Sequence, residues 1–353
     1  MSTFYQPFSL AAQTAFAGLD TAARQADLQR SIADVPGGFA KKTVSGKDYW
    51  YHQVKLANAS LQQSYIGPDD EATRKLLAQH ANPMAKVAQQ QLLRMARAAI
   101  ELGCVDIPVK HARVINRMKD YGFFSAGGVL VGTHVFLAYQ NMFGVHWAGN
   151  ASTLDLDFAH VGRNVSLALP ENLTIDVSAA IDSLQMGFVP NQSGTTLRKA
   201  DEPDFDLDFL TTRGRSGDKP VFLPRLKIHM QPLRFMELSL ENTMRSTLVT
   251  AAGPTVVNLP RPERYVLHKL IVSGERPQEE RTKANKDIAQ AASLLDYLMT
   301  HDAFELAQSW RAARARGTGW AQRLDKGMKR LHGQFPNADF SRRMAKLVDD
   351  HQD

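Results

Sequence analysis

Two short stretches of this chain carry side chains whose types and spacing suit phosphate chemistry. The first is Leu154-Asp155-Leu156-Asp157-Phe158. Read as a strand, it sends both carboxylates to one face and Leu154, Leu156 and Phe158 to the other. Two like charges on one face repel, and a hard, oxygen-preferring divalent cation relieves that repulsion. The second is Val129-Leu130-Val131-Gly132-Thr133, which passes straight into a helix-like segment, Val135 to Met142. A strand, a glycine turn and a helix start leave free backbone N–H groups that can hold a phosphate. Gly132 permits close approach of a ligand, and Thr133 suits the helix cap.

Two choices stay open at this level. Gly127-Gly128 is a second glycine pair, but it precedes the strand and reads as a tight bend or bulge. Gly132-Thr133 is therefore favoured as the phosphate turn, although the insert from Phe143 to Ser152 sets a long spacing to Asp155. A third acid is expected from Phe205-Asp206-Leu207-Asp208-Phe209-Leu210, whose alternation puts both aspartates on one face. One of the two should complete a metal site.

The elements that must position these residues follow from the pattern of the rest. A chain of 353 residues has room for two or three domains and a substantial core. With 44% hydrophobic and 22% charged residues it reads as an ordinary globular protein. The formal charge of +6 suits a polyanionic partner such as RNA or a nucleotide without requiring one. Cys104 is the only cysteine, so no intrachain disulfide can form, and a reducing, cytoplasmic setting is expected. No apolar run approaches membrane-spanning length, and there is no zinc-ligand spacing and no repeat.

In chain order, residues 6 to 34 predict a helix, and Phe39 to Leu56 with Leu61 to Ile66 predict an antiparallel meander. Its aromatics alternate with Lys41, Lys42, Lys47 and Lys55, which suits either a nucleic-acid surface or a half-solvated sheet. Asp69 to Gly103 predicts helix with an interruption at Pro83, and Pro108 to Tyr121 a basic helix. Leu167 to Pro190 predicts one further helix, and Leu197 to Thr211 strands. The polar loop Thr212 to Lys219 carries Arg213, which could reach a polyphosphate or sit idle at the surface. Strands at Ser246 to Val249 and Thr255 to Leu259 precede a helix from Arg264 to Val272, and the chain is helical beyond Ala291.

At these residues the sequence resembles the nucleotidyltransferase superfamily, the polymerase-beta-like fold. The matching pieces are the Gly-Gly-Val-Leu-Val-Gly-Thr turn, Leu-Asp-Leu-Asp-Phe-Ala, Asp208-Phe-Leu-Thr, Gln231-Pro-Leu-Arg-Phe and Arg264-Tyr-Val-Leu-His-Lys-Leu-Ile-Val. They cover roughly residues 105 to 300 in the family's order, and the closer likeness is to a bacterial branch related to abortive-infection nucleotidyltransferase toxins. The resemblance implies an α+β fold: a helical and small-β N-terminal region (1–104), a central mixed-sheet nucleotidyltransferase core (105–260) and a helical C-terminal region (261–353). It favours Asp208 over Asp206 as third carboxylate. It also implies that Lys269 faces the nucleotide and that Asp287 orients Lys269 or the nucleotide.

The expected reaction is transfer of a nucleoside monophosphate from an NTP (ATP among them) to a hydroxyl or phosphate acceptor, with release of pyrophosphate. Asp155, Asp157 and Asp208 would hold Mg2+ or Mn2+; Gly132, Thr133, Lys269, Asp287 and Arg213 would bind the nucleotide. The acceptor could be RNA, a protein or a small molecule, in a toxin or defence setting. The alternative from another class is a module that keeps the fold, has lost the chemistry, and binds nucleic acid.

Overall fold

The computed structural model describes residues 3–28, 38–55, 61–80, 83–148, 155–161, 175–214, 217–276 and 278–351. The chain begins with β1 (Tyr5–Pro7) and α1 (Leu10–Leu28). A separate three-stranded sheet follows, β2 (Gly38–Val44), β3 (Lys47–Lys55) and β4 (Leu61–Pro68), all antiparallel in the order β2-β3-β4. Next come α2 (Glu71–His80), α3 (Pro83–Glu101) and α4 (Val109–Asp120). The proline expected to interrupt the long helical stretch is the first residue of α3, where its missing N–H costs nothing. Of the first expected helix, residues 29–34 lie outside the described residues.

The central sheet is built around β5 (Val129–Val131), β7 (Leu156–His160), β10 (Glu202–Thr212), β12 (Ile228–Leu233) and β11 (Val221–Leu223). Between β5 and β7 lie α5 (Thr133–Phe143) and β6 (Val145–Trp147). The insert that follows α5 holds a strand: β6 pairs with β1, Tyr5 opposite Trp147. Three residues are too few to show a period. One correction concerns Leu167 to Pro190. Its described part holds only a short helix, α6 (Val177–Asp182), capped by Asp176 accepting from the Ala179 N–H, and then a strand, β8 (Phe188–Pro190). Pairing of β8 with β9 (Thr196–Lys199) overrides the local apolar spacing that suggested helix.

In the sheet β5 runs antiparallel to β7, while β7, β10 and β12 are parallel. The alternation of β10 works as written: Phe205, Leu207 and Phe209 are fully buried, with Leu156 and Phe158 of β7 on the same side. That face packs into a cluster that extends from Ile107 to Leu347 and includes Val114, Ile115 and Met118 of α4. The opposite face carries Val129, Val131 and Ala159 against Met236 and Leu240 of α7 (Met236–Leu240), and it also carries the acids.

A two-stranded ribbon, β13 (Met244–Leu248) and β14 (Thr255–Leu259), leads to α8 (Pro262–Glu275), with Pro262 at its first turn. Then come α9 (Arg281–His301), α10 (Ala303–Ala315), α11 (Thr318–Gln334) and α12 (Phe340–Asp350). Helices α8 and α11 approach so closely that a Cβ at Gly327 would lie 2.5 Å from the Leu270 carbonyl oxygen. Cys104 is buried with its thiol on the Ala12 carbonyl, 3.4 Å away, and burial pushes the thiol up: it is a packing residue. No helix among the described residues is long and apolar enough to cross a membrane.

Candidate active site

Register brings the acids together. Asp157 of β7 pairs directly with Asp208 of β10, and Val131 of β5 pairs with Asp157 on its other side. Residues in register point to the same side of a sheet, so Asp157 and Asp208 are lateral neighbours and Asp155 lies one pleat away. Gly132 follows Val131 at the start of α5 with φ +70° and ψ −153°. That region is essentially reserved for glycine. Glycine is required a second time, because a Cβ there would overlap the Asp157 carboxylate. The turn and the central acid are thus one packed unit.

The choice between Asp206 and Asp208 has a geometric reading. Asp206 is held in a two-point ion pair by Arg198, at 3.0 and 2.9 Å. Asp208 accepts a 2.6 Å bond from the Thr196 hydroxyl, and neither it nor Asp157 forms an ion pair with a lysine or arginine among the described residues. Gly127-Gly128 forms the bend before β5, where a Cβ at Gly128 would strike the Phe123 ring.

Charge at this face is under-compensated. Burial, then repulsion by Asp208, pushes the Asp157 carboxyl up to about 6. Burial likewise raises Asp155, against the pull of Lys283. Burial raises Asp208 too, against the Thr196 bond, with Asp155 adding to the rise. As they stand, no three His, Cys, Asp or Glu side chains among the described residues are gathered closely enough to enclose a metal ion. In charge and donor type the three acids fit a hard divalent cation, which commonly takes one or two carboxylates and leaves other positions to water and substrate phosphates.

Facing the acids is a wall from α8 and α9. Lys269 is buried and donates to Asp287 at 2.6 Å, while Arg276 holds the other oxygen of Asp287 at 2.7 Å. Burial works against the Lys269 ammonium, but Asp287 outweighs it and holds its pKa above the usual value; Lys269 also pulls Asp157 down. Asp287 is in turn held below the usual carboxylate range by Lys269 and Arg276 in spite of burial. The Tyr265 hydroxyl lies 3.1 Å from both the Gly132 carbonyl and Gln290 Oε1, and Gln290 donates to the Thr133 hydroxyl at 3.4 Å. Tyr265 and Gln290 therefore tie the turn to this wall. Lys283 and Lys286 complete the face: Lys283 acts on all three acids, and burial lowers Lys286. Sequence reading did not single out these four as site residues. The signal was the spacing of Lys283, Lys286, Asp287 and Gln290, which recur at one helical face.

Other basic residues do not join the site. Arg213 stands five residues past Asp208, roughly 16 Å along an extended strand, and its guanidinium is paired with Asp218 at 2.9 Å. His268 is half-buried with its Nε2 enclosed, and burial pushes it down to about 4, a neutral packing group. In the meander, Asp69 gathers Lys41, Arg74 and the Trp50 indole. Along the C-terminal helices Arg314 pairs with Asp325, Arg316 with Glu241 and Arg343 with Asp296.

A mixed sheet flanked by helices, with a glycine turn and acids on two adjacent strands, makes this an α+β protein. A family model described as nucleotidyltransferase matches residues 109–315, which include the turn, all three acids, Lys269 and Asp287, and the chain belongs to that family. Neither a curated protein nor a solved structure matches the chain.

Proposed function

We propose that this nucleotidyltransferase transfers a nucleoside monophosphate from an NTP to a hydroxyl or phosphate acceptor, with a divalent cation held by Asp155, Asp157 and Asp208. The observation that carries the reading is the register pair Asp157–Asp208 beside Gly132, with no direct ion pair to a lysine or arginine among the described residues. A structural cluster of acids would be neutralised from within, as Asp287 is.

In this reading the uncapped start of α5 and the Thr133 hydroxyl orient the phosphates. Lys269, with Lys283 and Lys286 at the mouth, offsets the triphosphate's charge. An oxygen of the acceptor forms its bond to the α-phosphorus as the bond to the bridging oxygen breaks. Pyrophosphate leaves with that electron pair. The acceptor's proton passes to Asp208 Oδ2, the oxygen that Thr196 leaves clear. Bound Mg2+ or Mn2+ supplies charge neutralisation at the phosphates and lowers the acceptor's pKa.

The likeness to abortive-infection toxins puts RNA first among acceptors, with protein and small molecules after it. The test is a label-transfer screen with each α-labelled NTP against total cellular RNA and protein. The intact chain should label an acceptor, and Asp157→Ala should lower the rate by about 10³-fold with its circular dichroism unchanged. Equal labelling by both proteins would overturn the proposal. So would failure of the intact chain to label anything while it binds RNA without magnesium, which favours the binding module.

A further inference from the structure

A second feature lies behind α9. A cavity of about 720 Å³ opens where the last turn of α8, the first turns of α9 and the last turn of α11 converge. Its size is that of a small-molecule site. The α9 residues lining it, Arg281, Ala284, Asn285 and Ile288, recur at three- and four-residue steps. At 100° per residue that stripe falls on the side of the helix away from Lys283, Lys286 and Gln290. The cavity is therefore not an extension of the carboxylate centre.

We propose that this cavity is a second anion site that takes the polyphosphate group of a nucleotide-sized ligand. Three guanidinium groups line it, from Arg276, Arg281 and Arg330. Arg276 also binds Asp287 and Glu280, so two carboxylates already share its guanidinium. Arg330 donates to the Ser273 carbonyl, which anchors its guanidinium against the end of α8. Arg281 has no acidic partner among the described residues. Arginine forks match phosphate oxygens in pairs. The first N–H groups of α9 add to them, because its cap residue, Glu280, makes no side-chain capping bond.

Ala284 and Ile288 give the cavity an apolar floor and Asn285 a hydrogen-bonding amide, a lining that suits the organic part of such a ligand.

The test uses two charge-matched variants of the full chain, Arg281→Glu and Lys283→Glu, two residues apart on opposite faces of α9. Binding of inorganic tripolyphosphate is measured by calorimetry with EDTA present. The intact chain and Lys283→Glu should show one saturable site in common, weakened about tenfold or more in Arg281→Glu and less in Arg281→Gln. The proposal is overturned if tripolyphosphate shows no saturable binding, if the two Glu variants lose it equally, or if only Lys283→Glu loses it. None of these outcomes depends on nucleotidyl transfer.

Discussion

The acids on the sheet and the acid on the helix opposite make an instructive pair. Asp157 and Asp287 both sit in poorly solvated positions, and Lys269 acts on both. Asp287 is closed off by Lys269 and Arg276 and is held below the ordinary range. Asp157 has Asp208 beside it instead and is raised to about 6. A fold that only needed to bury carboxylates would neutralise them all, since an unpaired buried charge is expensive. Here the neutralising groups are spent on the helix pair, and the sheet acids keep a deficit of positive charge that a cation and a triphosphate can fill.

The contrast breaks most visibly at Asp287. Asp287→Ala strands the Lys269 ammonium in the interior and should cost roughly 3–5 kcal/mol of unfolding free energy, measured by urea denaturation. A loss below about 1 kcal/mol would mean that the pair is not the structural half of the comparison.

Asp157→Asn should act in the opposite sense. A carboxyl whose folded pKa is raised stabilises the fold only while protonated, and that contribution is lost as pH rises through about 6. The variant should therefore be more stable than the intact chain by about 3 kcal/mol at pH 8. The gap should close as pH falls through 6 and vanish below about 4. A gap of the same size at pH 4 and pH 8 would show that the acid is not strained by its neighbours. For Asp287 the sign reverses: its stabilising contribution is present above the unfolded carboxylate range and is lost as pH falls through its depressed pKa.

The smallest effect belongs to Arg213, whose partner Asp218 is well exposed. Arg213→Ala should change stability by less than about 1 kcal/mol and label transfer by less than about twofold. A tenfold loss of transfer would return this loop to the nucleotide site.

The candidate site was legible where local pattern carries the information. Alternation put Asp155 with Asp157 and Asp206 with Asp208 on their strand faces, because side chains on a strand repeat every second residue. The glycine turn was legible because glycine between an apolar run and a helix start marks a backbone free to take a positive φ, as Gly132 does. The three-residue β6 was not, since its partner β1 lies far away in the chain and nothing local marks the pairing. The strand β8 was misread as helix for another reason: its partner β9 follows after a short turn, but three residues are too few to show a period.

What the sequence by itself determined is the set of acids, the turn and the family-like order of the pieces. What only the tertiary structure decided is which of them meet. The register of β10 on β7 sets Asp208 beside Asp157, and Arg198 pairs with Asp206. The packing of α8 and α9 commits Lys269 to Asp287 and brings Tyr265 and Gln290 to the turn. The physical reason is that these particular registers and pairs join residues far apart in the chain, β7 with β10, Lys269 with Asp287 and Tyr265 with the Gly132 turn. No window of neighbouring residues contains both partners.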